Sequence, residues 1–271
     1  MASTLVLVGG GKMGGALLEG WLELGMAPAN IVVVEPYAEN ATALAALGVT
    51  VVATPEDLAS DSSPDVIVFA VKPQMMDSVA PIYKKFAPTG TLFISIAAGV
   101  TIGFFENRLG AEAAVVRCMP NLPASIRRGI TAATAGAMVS TSQRNQAQEL
   151  MEAVGGVVWV EDEALIDIVT AVSGSGPAYV FLLSEYLAKA GIEAGLPADM
   201  AEQLARATVC GAGALLDRST EKAEALRRNV TSPGGTTAAA LDVLMAEDGL
   251  SQLMRKAIAR ATARSRELSV D

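Results

Sequence analysis

Three groups of residues in this chain have types and spacings that suit chemistry. Near the start, Gly9, Gly11 and Gly14 lie in the run TLVLVGGGKMGGALLEGWLELG with the spacing GxGxxG. The three glycines serve different ends, namely a tight turn, close approach of backbone to a pyrophosphate, and close packing of helix on strand. The next helical amides, from Lys12 and Met13, point at such phosphates. In the second half, NVTSPGGTTAAALDVL brings Ser232, Thr236 and Thr237 to a loop that enters a helix. Gly234 and Gly235 permit close backbone approach, and helix N-terminal amides suit a carboxylate. The same pattern also reads as a capped helix start behind a proline–glycine turn. Between them, SGSGPAYVF breaks a helical segment, with Pro177 placed to open a new helix.

Other chemistries are excluded. The chain has no histidine, so a Ser-His-Asp triad, a histidine–carboxylate relay and a histidine-ligated metal are all ruled out. Cys118 and Cys210 are far apart and outside any CxxC pattern, which gives no disulfide framework and no metal site. Both are expected to be reduced, buried thiols. With 20 Lys and Arg against 29 Asp and Glu, the formal charge is −9, a poor basis for binding nucleic acid or an anionic membrane. The cations of the last helix, Arg255 to Arg266, read as a solvated face.

The elements that must position these groups follow from the apolar pattern. The chain has 271 residues, 51% hydrophobic and 4% aromatic, enough for two domains whose cores are filled mainly by aliphatic side chains. Strands are expected at Thr4–Val8, Ile31–Glu35, Val66–Ala70, Leu92–Ile96 and Ala114–Arg117, then at Ile130–Ala133 and Val157–Val160. Helical segments, including Gly14–Leu24, Ala41–Leu47 and Arg144–Val154, alternate with them. That alternation predicts an α/β fold, a Rossmann-type parallel sheet over residues 1–160. After about Glu161 the pattern becomes Ala- and Leu-rich, giving an all-α domain of about five helices over residues 161–271. The uncharged stretch Phe86–Phe105 carries Pro88, Gly90, Gly99 and Gly103, so it reads as strand, loop and helix start rather than a membrane span. The N-terminal run lacks a signal pattern, and the expected location is cytoplasmic.

Ligands of open α/β sheets bind beyond the carboxyl ends of the strands. Val71, Lys72 and Pro73, then Ala97, Ala98 and Gly99, then Asn121 occupy those ends and are candidate cofactor contacts. Lys72 serves coenzyme phosphates, a substrate carboxylate, or simply solvent. Asn121 orients either cofactor or loop. Glu35 ends the second strand, either meeting the adenosine ribose hydroxyls or lying in solvent. Its charge repels a 2′-phosphate, which leans the choice between NADPH and NADH towards NADH.

The motifs GGGKMGGAL, AVKPQ, SIAAGVT, RCMPNLP, TAVSGSGPAYVF, EAGLP and TSPGGTT, in this order, resemble those of pyrroline-5-carboxylate reductases. The resemblance runs from the first strand to the final helix. It implies hydride transfer from NAD(P)H to the C=N bond of 1-pyrroline-5-carboxylate, giving L-proline. It also implies an intertwined homodimer, which in some members assembles further into a decamer. It points to Thr237 as the hydroxyl nearest the ring nitrogen, and to Ser232 and Thr236 as carboxylate contacts. The break at Ser175 then presents backbone to nicotinamide and substrate, or supplies small residues to a helix junction, or both. A β-hydroxyacid dehydrogenase shares the two-domain plan but wants a lysine early in the second domain, where only Lys189 lies, far down its helix. A non-catalytic nicotinamide-binding regulator is the remaining alternative, and the intact TSPGGTT counts against it.

Overall fold

The computed structural model describes residues 4–58 and 63–269. Met1–Ser3 of the N-terminal run lie outside the described residues. By its internal contacts the chain divides into two compact units, Met1–Gly174 with Ala261–Asp271, and Ser175–Arg260. The expected boundary after residue 160 therefore falls earlier than this division, and the end of the last helix returns to the first unit.

The first unit is built on strands β1 (Leu5–Val8), β2 (Ile31–Val34), β3 (Thr50–Val52), β4 (Val66–Phe69), β5 (Leu92–Ser95), β6 (Ala114–Met119), β7 (Gly129–Ala135) and β8 (Gly155–Trp159). Their order across the sheet is β3-β2-β1-β4-β5-β6-β7-β8. All expected strands are present. β3 was not foreseen, because three residues are too few to show a period. The sheet is parallel from β3 to β6, but β7 runs antiparallel to β6, and β8 is parallel to β7. The sheet is thus mixed, with its Rossmann-type part, β3 to β6, parallel as expected. The link from Met119 to Gly129 is shorter than the dozen or so residues that a parallel crossover needs, so the chain must turn back.

Helices α1 (Lys12–Glu23), α2 (Ala38–Ala45), α3 (Met76–Val79), α4 (Ile102–Leu109), α5 (Thr141–Glu152) and α6 (Leu165–Val169) accompany the sheet. Strand side chains alternate between faces. Leu5 and Leu7 therefore join a core with Leu17, Leu18 and Trp21 of α1 and Leu150 and Met151 of α5. Val6 and Val8 join the opposite core with Phe69, Tyr83, Phe93 and Phe105. In α1 the buried residues Gly14, Leu17, Leu18 and Trp21 follow the helical period, and the Trp21 indole N–H donates to the Leu150 carbonyl at 2.8 Å. The stretch 86–105 is broken as expected, into the end of a 3₁₀ segment, β5, a loop and the start of α4.

The second unit contains α7 (Gly176–Glu193), α8 (Ala198–Arg218), α9 (Ala223–Asn229), α10 (Thr236–Leu244) and most of α11 (Leu250–Leu268). No strand occurs there, as the Ala- and Leu-rich pattern predicts. Its buried side chains are small: Ala188 on α7, and Ala201 and Ala205 on α8. Phe181 is 59% exposed, Leu183 54% and Tyr186 58%. Apolar exposure on this scale marks an interaction surface. The helical run Leu165–Glu193 is long and apolar enough to cross a membrane by length and composition.

Candidate functional site

Order reverses at β1, whose neighbours β2 and β4 lead away in opposite directions, and this opens the crevice where such sheets bind ligands. The glycine turn lies there. Gly9 has φ +98°, and its amide donates to the Val34 carbonyl at 2.9 Å. A side chain on Gly9 would meet Val71 at 2.9 Å, and one on Gly14 would meet the Gly9 carbonyl oxygen at 2.2 Å. A Cβ on Gly11 would meet nothing within 4 Å, and the residue is exposed. Strand and helix are thus pressed together at Gly9 and Gly14, while the backbone at Gly11 is open to an incoming group. Lys12, exposed, and Met13, half-buried, begin α1, whose first amides have no intrahelical acceptor. This arrangement fits a dinucleotide pyrophosphate.

Glu35 departs from the solvent-exposed one of its two sequence readings. It is only 3% exposed. One carboxylate oxygen accepts the Gly10 amide at 2.8 Å and the other accepts the Tyr37 amide at 2.9 Å. The side chain is therefore not a solvated strand end. It clasps the glycine turn to the end of β2.

The remaining candidates of the first unit follow the ends of neighbouring strands. Lys72 is exposed between half-buried Val71 and Pro73 after β4. After β5, Ala97 is buried, Ala98 exposed, and Gly99 has φ +74°. A Cβ on Gly99 would meet the Leu268 carbonyl oxygen at 2.8 Å, so the glycine is required by the close pass of α11. Asn121 follows β6, with both ends of its amide bonded to backbone.

A support of the loop after β5 was missed. Arg117, in the middle of β6, is buried and its guanidinium donates to Glu163 at 2.7 Å. The same carboxylate oxygen accepts the Ile102 amide at 2.9 Å, at the start of α4. An arginine inside the apolar run VVRCM was the available signal, since a buried charge needs a partner.

In the second unit, Ser232, Pro233 and Gly234 are exposed ahead of α10, and the Gly235 amide donates to the Ser232 carbonyl at 3.0 Å. Gly234 has φ +69°, and Gly235 is the N-cap residue of α10. Thr236 is exposed and Thr237 half-buried in its first turn. The loop entering a helix is therefore present, with hydroxyls and unpaired first-turn amides in one place. Ser175 is the N-cap residue of α7, which carries Pro177 in its first turn as expected.

The thiols differ. Cys118 is buried, and burial pushes its pKa up to about 12. Cys210 on α8 is exposed, contrary to the expectation of two buried thiols. Its helix lies in the unit whose apolar faces are open. Among the described residues no group of His, Cys, Asp and Glu forms a metal cluster.

Residues 163–268 match the family model described as pyrroline-5-carboxylate reductase dimerisation, and residues 4–99 match that described as NADP oxidoreductase coenzyme F420-dependent. The pyrroline-5-carboxylate reductase of Pseudomonas aeruginosa is 41% identical over 98% of this chain and 96% of its own length. A solved pyrroline-5-carboxylate reductase from Coxiella burnetii superposes with TM-score 0.94 at 37% identity, covering 100% of both chains. The Plasmodium falciparum pyrroline carboxylate reductase, solved with NADP bound, gives TM-score 0.83 at 29% identity over 99% of this chain and 98% of its own.

Proposed function

This chain belongs to the pyrroline-5-carboxylate reductase family, and from that premise we propose which of its residues do the work. The reaction is NAD(P)H-dependent reduction of the C=N bond of 1-pyrroline-5-carboxylate to L-proline, the last step of proline biosynthesis.

Bound NAD(P)H supplies the hydride. Gly9, Gly11 and Gly14, with the first amides of α1 at Lys12 and Met13, hold the pyrophosphate. The observation that carries this assignment is the open backbone at Gly11 between two points of forced contact. Val71–Pro73 and Ala97–Gly99 line the coenzyme from the neighbouring strand ends, and Lys72 adds a positive charge that favours its phosphates. For coenzyme preference the reading keeps NADH over NADPH, on revised grounds. A carboxylate fixed at the end of β2 by two amides keeps its negative charge near the adenosine ribose, whether or not its oxygens reach the hydroxyls.

The substrate carboxylate binds Ser232, Thr236 and the amides around Gly234 and Gly235, where a helix N-terminus favours negative charge. Thr237 directs its hydroxyl at the ring nitrogen, and Ser175 contacts the ring. Positioning accounts for much of the rate in such a reaction, so the lack of histidine is no obstacle. Thr237→Ala should keep the fold and coenzyme affinity but lower kcat by roughly a hundredfold, within the usual range for loss of a proton-directing group. Full turnover in that variant would remove Thr237 from the reaction.

The C-terminal segment is a dimerisation domain, and the chain self-associates. An intertwined homodimer is the assembly supported by the open faces of α7 and α8. Sedimentation would separate it from a decamer. A cytoplasmic location goes with this reading, since a second copy gives the apolar run Leu165–Glu193 a protein partner in place of lipid.

A further inference from the structure

Between α6 and α7 the helix widens into a π turn over Thr170–Gly174, which takes in the first half of the SGSG break. A π turn shifts the backbone bonds out of α register, and displaced carbonyls must find other donors. The Thr170 hydroxyl donates to the Ile166 carbonyl at 2.8 Å, and the Ser173 hydroxyl to the Val169 carbonyl at 3.2 Å. The Ser173 carbonyl is met from outside the helix, by the Asn121 amide nitrogen at 3.2 Å. The oxygen of that same amide accepts the Ile130 N–H at 2.9 Å, at the start of β7. Met119, two positions before Asn121, closes on the turn as well: a Cβ on Gly174 would lie 2.7 Å from its terminal methyl. The end of β6 and the loop after it therefore grip the π turn at two points.

We infer that Asn121 is a positioning residue, which fixes the Ser173 carbonyl and with it the SGSG segment leading to Ser175, rather than a ligand of the coenzyme. Both ends of its amide are committed to backbone, and its partner is the π-helical stretch that precedes a proposed substrate contact. The inference rests on the reading of Ser175 given above. It replaces the choice between cofactor and loop with the loop.

Asn121→Asp separates the two bonds. It keeps an oxygen for the Ile130 amide and sets a second oxygen against the Ser173 carbonyl. Asn121→Ala removes both bonds. Hydrogen exchange, coenzyme dissociation constants and steady-state kinetics are measured on both variants and on the unaltered chain. The expected result for Asn121→Asp is faster exchange over residues 170–176, unchanged protection over residues 129–135, and an unchanged coenzyme dissociation constant. kcat/KM for the imine should fall roughly tenfold to a hundredfold, the cost of a small misplacement. In Asn121→Ala the protection at the start of β7 should be lost too. Coenzyme affinity falling in step with turnover would overturn the inference, because Asn121 would then touch the coenzyme. Unchanged exchange, or faster exchange with full turnover, would overturn it as well. Exchange and coenzyme binding read the grip even if the unaltered chain failed to reduce the imine, so failure of the functional reading would show separately.

Discussion

Every residue of β1 and β4 is buried, covered on both faces by helices of the same chain. In α7, by contrast, only Ala188 is buried, and Phe181, Leu182, Leu183 and Tyr186 are at least half exposed. Both regions carry large apolar side chains and differ in where their cover comes from. A sheet flanked by crossover helices closes its own core within one chain. Helices that meet through alanine and glycine bury little by themselves and leave their large side chains for another copy. Stability of the first region should therefore be a property of the chain, and stability of the second a property of the assembly.

The largest effect expected from this difference is in the core of the first unit. Trp21→Ala removes a fully packed indole and its bond to Leu150, and should cost about 3–5 kcal/mol. The loss in calorimetric Tm should be the same at every protein concentration. Phe181→Asp, at a side chain largely exposed in the single chain, should cost at least about 2 kcal/mol of association free energy. Here Tm should fall with dilution and sedimentation should show monomer, since association stabilises by mass action. A dilution-independent Tm in the unaltered chain would erase the distinction between the two regions.

Smaller effects refine it. Glu35→Gln keeps the size of the side chain but removes its charge and one of its two acceptors, and should raise NADPH use relative to NADH by a few-fold, about 1 kcal/mol. An unchanged ratio would make Glu35 purely a turn clasp. The smallest effect is in the thiols. Cys210 should react with a thiol reagent once dilution separates the copies, and Cys118 only on unfolding. The neutral Cys118 thiol contributes stability that is whole below the ordinary value of 9.0 and is lost as pH rises towards about 12, because the unfolded chain releases its proton first. Chemical denaturation across that interval reads the sign.

Much of this was legible in the sequence. The strands of the first unit are short apolar runs, and the glycine turn has a separate backbone demand at Gly9, Gly11 and Gly14, so local pattern was enough. The loop ahead of α10 was legible for the same reason, as proline, glycine and hydroxyl residues signal their own geometry. What stayed hidden depends on distant partners. β3 is too brief to show a period, and the reversal at β7 follows from the length of a link rather than from its residues. Glu35 was placed correctly at its strand end, but the amides of Gly10 and Tyr37 that engage it are tertiary contacts. The same holds for Asn121 with Ser173 and for Arg117 with Glu163. Cys210 was expected inside because free thiols are usually buried, yet the cover for its helix is not in the chain.

Imine reduction itself is tested by oxidation of NADH and of NADPH by the purified chain, followed by loss of the reduced-nicotinamide absorbance with and without 1-pyrroline-5-carboxylate. Oxidation that requires the imine, with one proline formed for each coenzyme consumed, is the expected result. A folded protein that binds coenzyme yet oxidises neither form in the presence of the imine would contradict it.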